Sequence, residues 1–250
     1  MSLLAPPPQA QPPPQAQPQA QPQRVRRREL VAGIVILVLI LVAAGVLVQH
    51  RRADSYPSVY GGPYAPAALT AGDTVTMTQP SVAQPVLQVY EDYQCSVCDA
   101  FELANGGTIE KLAYQGRVKV IYHLFTIFVG SQPRQANSTR AWAAARCVPA
   151  GSWVRYHDLL YANQPAETAQ HGFPISQLLA FGRQIGLTSG AFTQCVTSQR
   201  YAAQIVPLSN RIVSSGINAT PTVTLNGRPL SMSILETNNG VLAQTIRAAH

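Results

Sequence analysis

The stretch Val86-Leu87-Gln88-Val89-Tyr90-Glu91 continues through Asp92-Tyr93-Gln94 into Cys95-Ser96-Val97-Cys98. Its first six residues, rich in β-branched and aromatic side chains, predict a strand, and Cys95 falls where a following helix begins. Two thiols one helical turn apart at a strand-to-helix junction suggest redox chemistry. Only a thiolate attacks a disulfide, and a cysteine at a helix start has its anion stabilised by unpaired backbone N–H groups and the positive end of the helix dipole. Cys95 is therefore the expected nucleophile. Cys98, expected to be less exposed, is the resolving thiol.

On either side, further elements are legible. Val75 to Met77 reads as a short strand, and Arg117 to Phe125 as a buried one. The helix after Cys95 carries Phe101, Leu103 and Leu112, with Asn105-Gly106-Gly107 expected to break or kink it. A mainly helical block spans about 137–215, with apolar positions recurring at three and four (Leu178, Leu179, Phe181, Ile185; Ile205, Leu208, Ile212). Pro221 to Leu225 and Arg228 to Met232 flank Asn226-Gly227, the dipeptide best suited to a tight hairpin turn. A last helix runs from about Gly240 to Ala249. Strand, helix, strand, helical insert, hairpin and helix follow in that order, an α/β arrangement.

The first 72 residues have a different character. Residues 1–29 are a Pro/Gln/Ala-rich tail with a basic end and no apolar periodicity, which predicts disorder. Residues 30–48, Leu30 to Val48, carry no charge and would make about 28 Å of helix, enough to span a bilayer. The run is too long for a signal peptide and ends in Gln49-His50-Arg51 rather than a small-residue cleavage site, so an uncleaved transmembrane helix is expected. Four arginines precede it and two follow, which predicts a cytoplasmic amino terminus and an extracytoplasmic domain. Residues 49–72, with Pro57, Gly61, Gly62, Pro63 and Pro66, read as a linker reaching about 25 to 30 Å. The folded domain is expected over 73–250.

The net charge of +7 is concentrated at this boundary. From Asp73 onward, twelve basic residues face nine acidic ones with no basic run, so no nucleic-acid partner is expected. No metal is expected either. A structural zinc site takes four ligands, whereas Cys147 and Cys195 are 48 residues apart and His123, His157 and His171 show no ligand spacing. A purely structural Cys95–Cys98 disulfide would be a poor staple, because so short a ring removes little unfolded-state entropy.

Asp92-Tyr93-Gln94-Cys95-Ser96-Val97-Cys98, followed by Phe101, resembles the active-site segment of the DsbA-like thiol-disulfide oxidoreductases. Thr220-Pro221-Thr222, followed by Val223 to Leu225 and Asn226-Gly227, resembles that family's cis-proline loop and terminal hairpin. The resemblance covers about 73–250. It implies a thioredoxin-like fold with an inserted helical subdomain, here preceded by one transmembrane helix. It also implies catalysis by Cys95 and Cys98 and substrate binding at Thr220 and Pro221. No cofactor is implied. The expected partners are reduced secreted or envelope proteins as clients, with reoxidation by a quinone-linked membrane protein of the DsbB or vitamin K epoxide reductase type.

The chain departs from that family in two places. The best-known members carry His before the second cysteine, and Val97 stands there, so a less extreme oxidant is expected. A buried acid six positions before the first cysteine is replaced by Val89, which leaves proton transfer to Glu91, Asp92 or water. Both carboxylates read more simply as strand-end surface charges, and His123 as packed or hydrogen-bonded. Cys147 and Cys195 are expected to form a structural disulfide, since free thiols outside the cytoplasm are a liability. A second redox pair is the alternative. The functional reading is a membrane-anchored extracytoplasmic oxidoreductase that forms disulfides in secreted proteins. The alternatives are a reductase or isomerase, and a non-enzymatic envelope binding module.

Overall fold

The computed structural model describes residues 31–40, 60–70, 74–235 and 240–249. The chain divides into two units, Met1–Gln49 and His50–His250. In the first, residues 31–40 are helical with exposed side chains. Among the described residues no helix is long and apolar enough to cross a membrane. The expected span 30–48 extends beyond residues 31–40. The expected tail 1–29 lies outside the described residues, as do residues 49–59 and 71–72 of the stretch read as a linker.

The remainder of that stretch belongs to the domain, which corrects the linker boundary. Ala67–Leu69 forms β1, antiparallel to β2 (Thr74–Met77). Ala65 is buried, and the Tyr64 hydroxyl donates to Asp158 Oδ2 at 3.1 Å. A three-residue edge strand is too short to leave a periodic signal among prolines and glycines.

Six strands among the described residues form one mixed sheet in the order β1-β2-β4-β3-β5-β6. β3 (Val86–Glu91) runs parallel to β4 (Lys119–Leu124) and antiparallel to β5 (Thr222–Leu225), which pairs with β6 (Arg228–Pro229). The parallel pair is joined by the crossover helix α1 (Ser96–Tyr114), as parallel strands require. Alternation fixes which side chains enter the core: Leu87, Val89 and Glu91 from β3, Val120, Tyr122 and Leu124 from β4, and Val223 and Leu225 from β5. Glu91 is thus placed inside by the same period that buries Leu87 and Val89.

Contrary to expectation, α1 is continuous through Asn105-Gly106-Gly107. Asn105 is buried, and its Nδ2 donates to Phe101 O one turn back and to Leu235 O at 2.7 Å, in the short helix α7 (Met232–Leu235). That anchoring offsets the roughly 1 kcal/mol that each glycine costs a helix interior.

Between β4 and β5 lie α2 (Arg134–Ala145), α3 (Ala150–Ala162), α4 (Ile175–Gln184), α5 (Gly190–Thr197) and α6 (Ile205–Ser214). Cys147, after α2, is disulfide-bonded to Cys195 in α5 across 48 residues of chain. On the chain-entropy estimate, closing that loop contributes at most about 4 kcal/mol. Trp142 and Trp153 are buried in the same core, and Trp142 Nε1 donates to Leu124 O at 2.8 Å. At the sheet's other end, Asn226 (φ 50°) and Gly227 (φ 78°) adopt the left-handed conformation that the hairpin turn requires. Asn226 also clips the turn to β3: Val86 N donates to Asn226 Oδ1 at 2.8 Å, and Asn226 N donates to Val86 O at 2.8 Å. α8 (Val241–Ala248) buries Leu242, Ala243 and Ile246 and packs on α1.

Candidate active site

Cys95 is the N-cap residue of α1 and Cys98 lies in its first turn, both as free thiols. Cys95 retains 7% exposure while Cys98 has none, which sets which sulfur meets a partner. Cys95 is extended at the N-cap (φ −80°, ψ 117°) and makes no side-chain capping bond, but it adjoins the unpaired amides of the first turn. The Cys95 pKa is lowered to about 6, chiefly by a hydrogen bond from Cys98. Burial works the other way, and the Thr220 side chain and the backbone N–H groups of Cys98 and Val97 add to the lowering. Val97 therefore acts through its backbone even though its side chain donates nothing. Burial, and then the neighbouring Cys95, push the Cys98 thiol well up. Such a split separates an attacking sulfur from one that stays protonated.

Facing the pair is the loop before β5. The Thr220–Pro221 peptide bond is cis, Pro221 is buried, and Cys95 Sγ lies 3.4 Å from Thr220 O. Thr220 and Pro221 are thus brought to the nucleophile from 125 residues away in sequence. Cys147 and Cys195 belong to the helical block and are already joined to each other.

Beneath the thiols is a buried polar cluster. Glu91 and Asp92, read from sequence as surface charges, are both fully buried, which corrects that expectation. Asp92 accepts from Gln94 N (2.9 Å), Thr126 Oγ1 (2.9 Å), Ile127 N (3.0 Å) and Ser138 Oγ, fastening the loop that carries Cys95 to the segment after β4 and to α2. Burial raises its pKa to about 6 against the pull of those donors. Glu91 is pushed well up by burial and by the charge of Glu102. His157 Nε2 stands 3.6 Å from Glu91 and 3.9 Å from Glu102, while its Nδ1 hydrogen-bonds Tyr93 Oη at 3.1 Å. Farther along α1, Glu110 is also raised, as is Asp158 on α3, in each case mainly by burial.

Glu91, Glu102 and His157 offer ligand atoms within 4.8 Å of one another. Three donors with solvent excluded fall short of the four that zinc takes, and a protonated Glu91 supplies no ligating charge. The cluster thus fits a proton store better than a metal centre. His123, on β4, hydrogen-bonds Gln88 Oε1 at 3.0 Å and stacks on Tyr90, away from the thiols.

The acids have a consequence for stability. A carboxyl whose folded pKa is raised contributes stability at low pH that is lost as pH climbs through the folded value. For Asp92 and Asp158 that window runs from about 4 to about 6, and for Glu91 it extends higher. The oxidised chain, in which Cys95 no longer titrates, is therefore expected to melt about 5 °C higher at pH 5 than at pH 8. Calorimetry giving a flat or rising Tm over that range would refute the assignment.

A helix-start thiolate with a buried partner, facing a cis-proline on a mixed sheet, defines a redox-active dithiol centre, and the protein is an oxidoreductase. The family model described as thioredoxin matches residues 75–239, and the chain belongs to that family. Among solved structures it is similar to the reduced form of the disulfide bond oxidoreductase DsbG from Mycobacterium tuberculosis, at 27% identity. That match covers 72% of this chain and 95% of the other, with a TM-score of 0.54. Reduced DsbA from the same organism matches at 26% identity over 75% and 92%, with a TM-score of 0.56. MdbA, a thiol-disulfide oxidoreductase from Corynebacterium matruchotii, shares the fold at 15% identity over 73% and 94%, with a TM-score of 0.61. No curated protein sequence matches the chain.

Three features of the site were not anticipated from sequence. Glu102 was not singled out and His157 showed no ligand spacing, yet the two come within 3.9 Å of each other in the core. Gln164 Nε2 donates to Cys95 O at 2.9 Å from the loop after α3, and Glu167 in the same loop reaches Ser96. For Glu91 a signal did exist, in the alternation Leu87, Val89, Glu91.

Proposed function

We propose that this protein is a membrane-anchored, extracytoplasmic thiol-disulfide oxidoreductase that introduces disulfides into secreted or envelope proteins. The observation that carries the reading is Cys95 Sγ at the start of α1, 3.4 Å from the carbonyl preceding cis-Pro221. An extended client can pair with the free backbone of that loop and present its own sulfur to Cys95. The uncharged run Leu30 to Val48 with its flanking arginines supports anchoring, and the Cys147–Cys195 disulfide suits an oxidising compartment.

The chemistry balances over two exchanges. A client thiolate attacks Cys95 of the Cys95–Cys98 disulfide, forming a mixed disulfide and releasing Cys98 as a thiolate. Cys98 is buried, so it takes up a proton; the donor in this scheme is Glu91, whose carboxyl is held well up by burial and which interacts electrostatically with both sulfurs. A second client thiolate then attacks the client sulfur and expels Cys95 as its thiolate. The client loses two electrons, and the dithiol gains them. Reoxidation would fall to a quinone-linked membrane protein of the DsbB or vitamin K epoxide reductase type. Val97 in place of a side-chain donor favours a milder potential, which keeps the reductase or isomerase direction as the second reading. A reduction potential compared with that of the compartment decides between them.

The test is Cys98→Ala in cells. In this variant the Cys95 thiolate attacks disulfides already formed in clients, the reverse of the second exchange, and with no Cys98 to release them the mixed disulfides should accumulate as reducible higher-mass bands absent from Cys95→Ser/Cys98→Ala. A lack of such bands in an envelope full of secreted cysteine-containing proteins would count decisively against the proposal.

A further inference from the structure

The loop that follows α3 reaches across the amino end of α1. Gln94 Nε2 donates to Pro165 O at 2.8 Å, and Gln164 Nε2 to Cys95 O at 2.9 Å. The Glu167 carboxylate then closes on the helix itself: Oε1 accepts from Ser96 N at 3.0 Å and from Ser96 Oγ at 2.8 Å. Its other oxygen meets Arg134 Nη1 at 3.3 Å, and the Arg134 guanidinium lies 4.4 Å above the Phe128 ring. Partial burial pushes the Glu167 carboxyl up, but the two Ser96 donors and Arg134 outweigh it and hold the group below the usual carboxylate range. Glu167 is therefore an anion at neutral pH, on the residue next to the nucleophile.

An acid in this place has opposing effects. It satisfies an orphan amide and complements the helix dipole, which stabilises α1. It also takes up a donor and a positive potential that would otherwise favour an anionic sulfur. That second effect differs between redox states: Cys95 carries charge as a free thiolate and none in a disulfide.

We propose that Glu167 is a positioning residue that restrains the oxidising power of the Cys95–Cys98 pair, with Arg134 as its partial counterweight. Its carboxylate occupies Ser96 N–H and repels the Cys95 thiolate, so the reduced form is less favoured than the helix start alone would make it. The charges oppose one another across the site: Arg134 offsets the field of the Glu167 carboxylate, and the side chains of both are about one-third exposed, at 37% and 30%. A charge at a helix end typically moves an equilibrium two- to fivefold.

The inference deepens the thiol-disulfide reading, and the experiment separates the two. In the purified full-length chain, the Cys95 pKa is read from thiolate absorbance without any client, and the redox equilibrium is set against glutathione. Glu167→Gln retains an acceptor oxygen for Ser96 but removes the charge. It should lower the Cys95 pKa by about 0.6 and shift the equilibrium about fourfold toward the dithiol, or about 18 mV at 29.6 mV per tenfold. Arg134→Gln should move both quantities the other way. A loop that merely came loose would move both variants in one direction, which would overturn the proposal. So would a Glu167→Gln chain with unchanged pKa and equilibrium. If the shifts appear but the chain oxidises no client, the functional reading fails while the role of Glu167 stands.

Discussion

Cys95→Ser is expected to bring disulfide exchange with a reduced peptide down to the uncatalysed background, with Cys147–Cys195 intact and Tm little changed. A serine hydroxyl forms no disulfide, so the loss is chemical, and Cys95 contributes only one small side chain to the core. The direction of tuning matters as much as its presence. With a pKa of about 6, Cys95 is mostly ionised at pH 7, whereas a free cysteine near 8.5 is only a few per cent thiolate, a gain of about thirtyfold in the reactive form. Intrinsic nucleophilicity falls with pKa at a Brønsted slope of about 0.4 to 0.5, which cancels most of that gain. A low pKa therefore does little for Cys95 as an attacking group. Its advantage lies in leaving: the second client thiol expels a stable anion, and the dithiol state is favoured, as an oxidant needs. Cys95→Ser that retained more than about a hundredth of wild-type turnover would place the redox centre at the other cysteine pair, Cys147–Cys195.

Strand, helix start and hairpin were legible because each rests on local rules: β-branched alternation before Cys95, the amide-rich helix end, and the left-handed turn at Asn226-Gly227. Cis-Pro221 was legible by resemblance, since nothing local to Thr220-Pro221 requires it. Glu91 was misjudged because its charge was weighed above its register. The period that buries Leu87 and Val89 takes Glu91 in with them, and desolvation is met by protonation. The continuity of α1 was hidden for the opposite reason. Gly106 and Gly107 are poor helix formers locally, and the contacts that override them come from Leu235, 130 residues from Asn105. The Gln164–Glu167 strap lay beyond sequence reasoning altogether, because loop residues about 70 positions away meet Cys95 and Ser96 only once α3 is packed.

Asp92→Ala should be strongly destabilising, costing about 3 kcal/mol and lowering Tm by roughly 8 °C. Removing the carboxylate relieves the cost of burying it, which is real, since burial holds its pKa up at about 6 even against the four donors. That relief is outweighed by the donors left behind. Ser138 and Thr126 hydroxyls can rotate toward other acceptors, but Gln94 N–H and Ile127 N–H point from fixed backbone into the vacated space. Each orphaned buried donor costs about 1 to 3 kcal/mol. Asp92→Asn separates shape from donor count. One of its two terminal atoms is an amide nitrogen, so whichever way the group is turned, either Gln94 N–H or Ile127 N–H faces another donor. Asn should therefore lose about half of what Ala loses, while Ser138→Ala, which removes one hydroxyl and orphans no backbone group, should lose least. Because Gln94 leads directly into Cys95, the order Ser138→Ala, Asp92→Asn, Asp92→Ala should reappear as a progressive rise in the Cys95 pKa. Thermal melts following that order while the thiol titration stays fixed would show that Asp92 braces the fold without positioning the nucleophile.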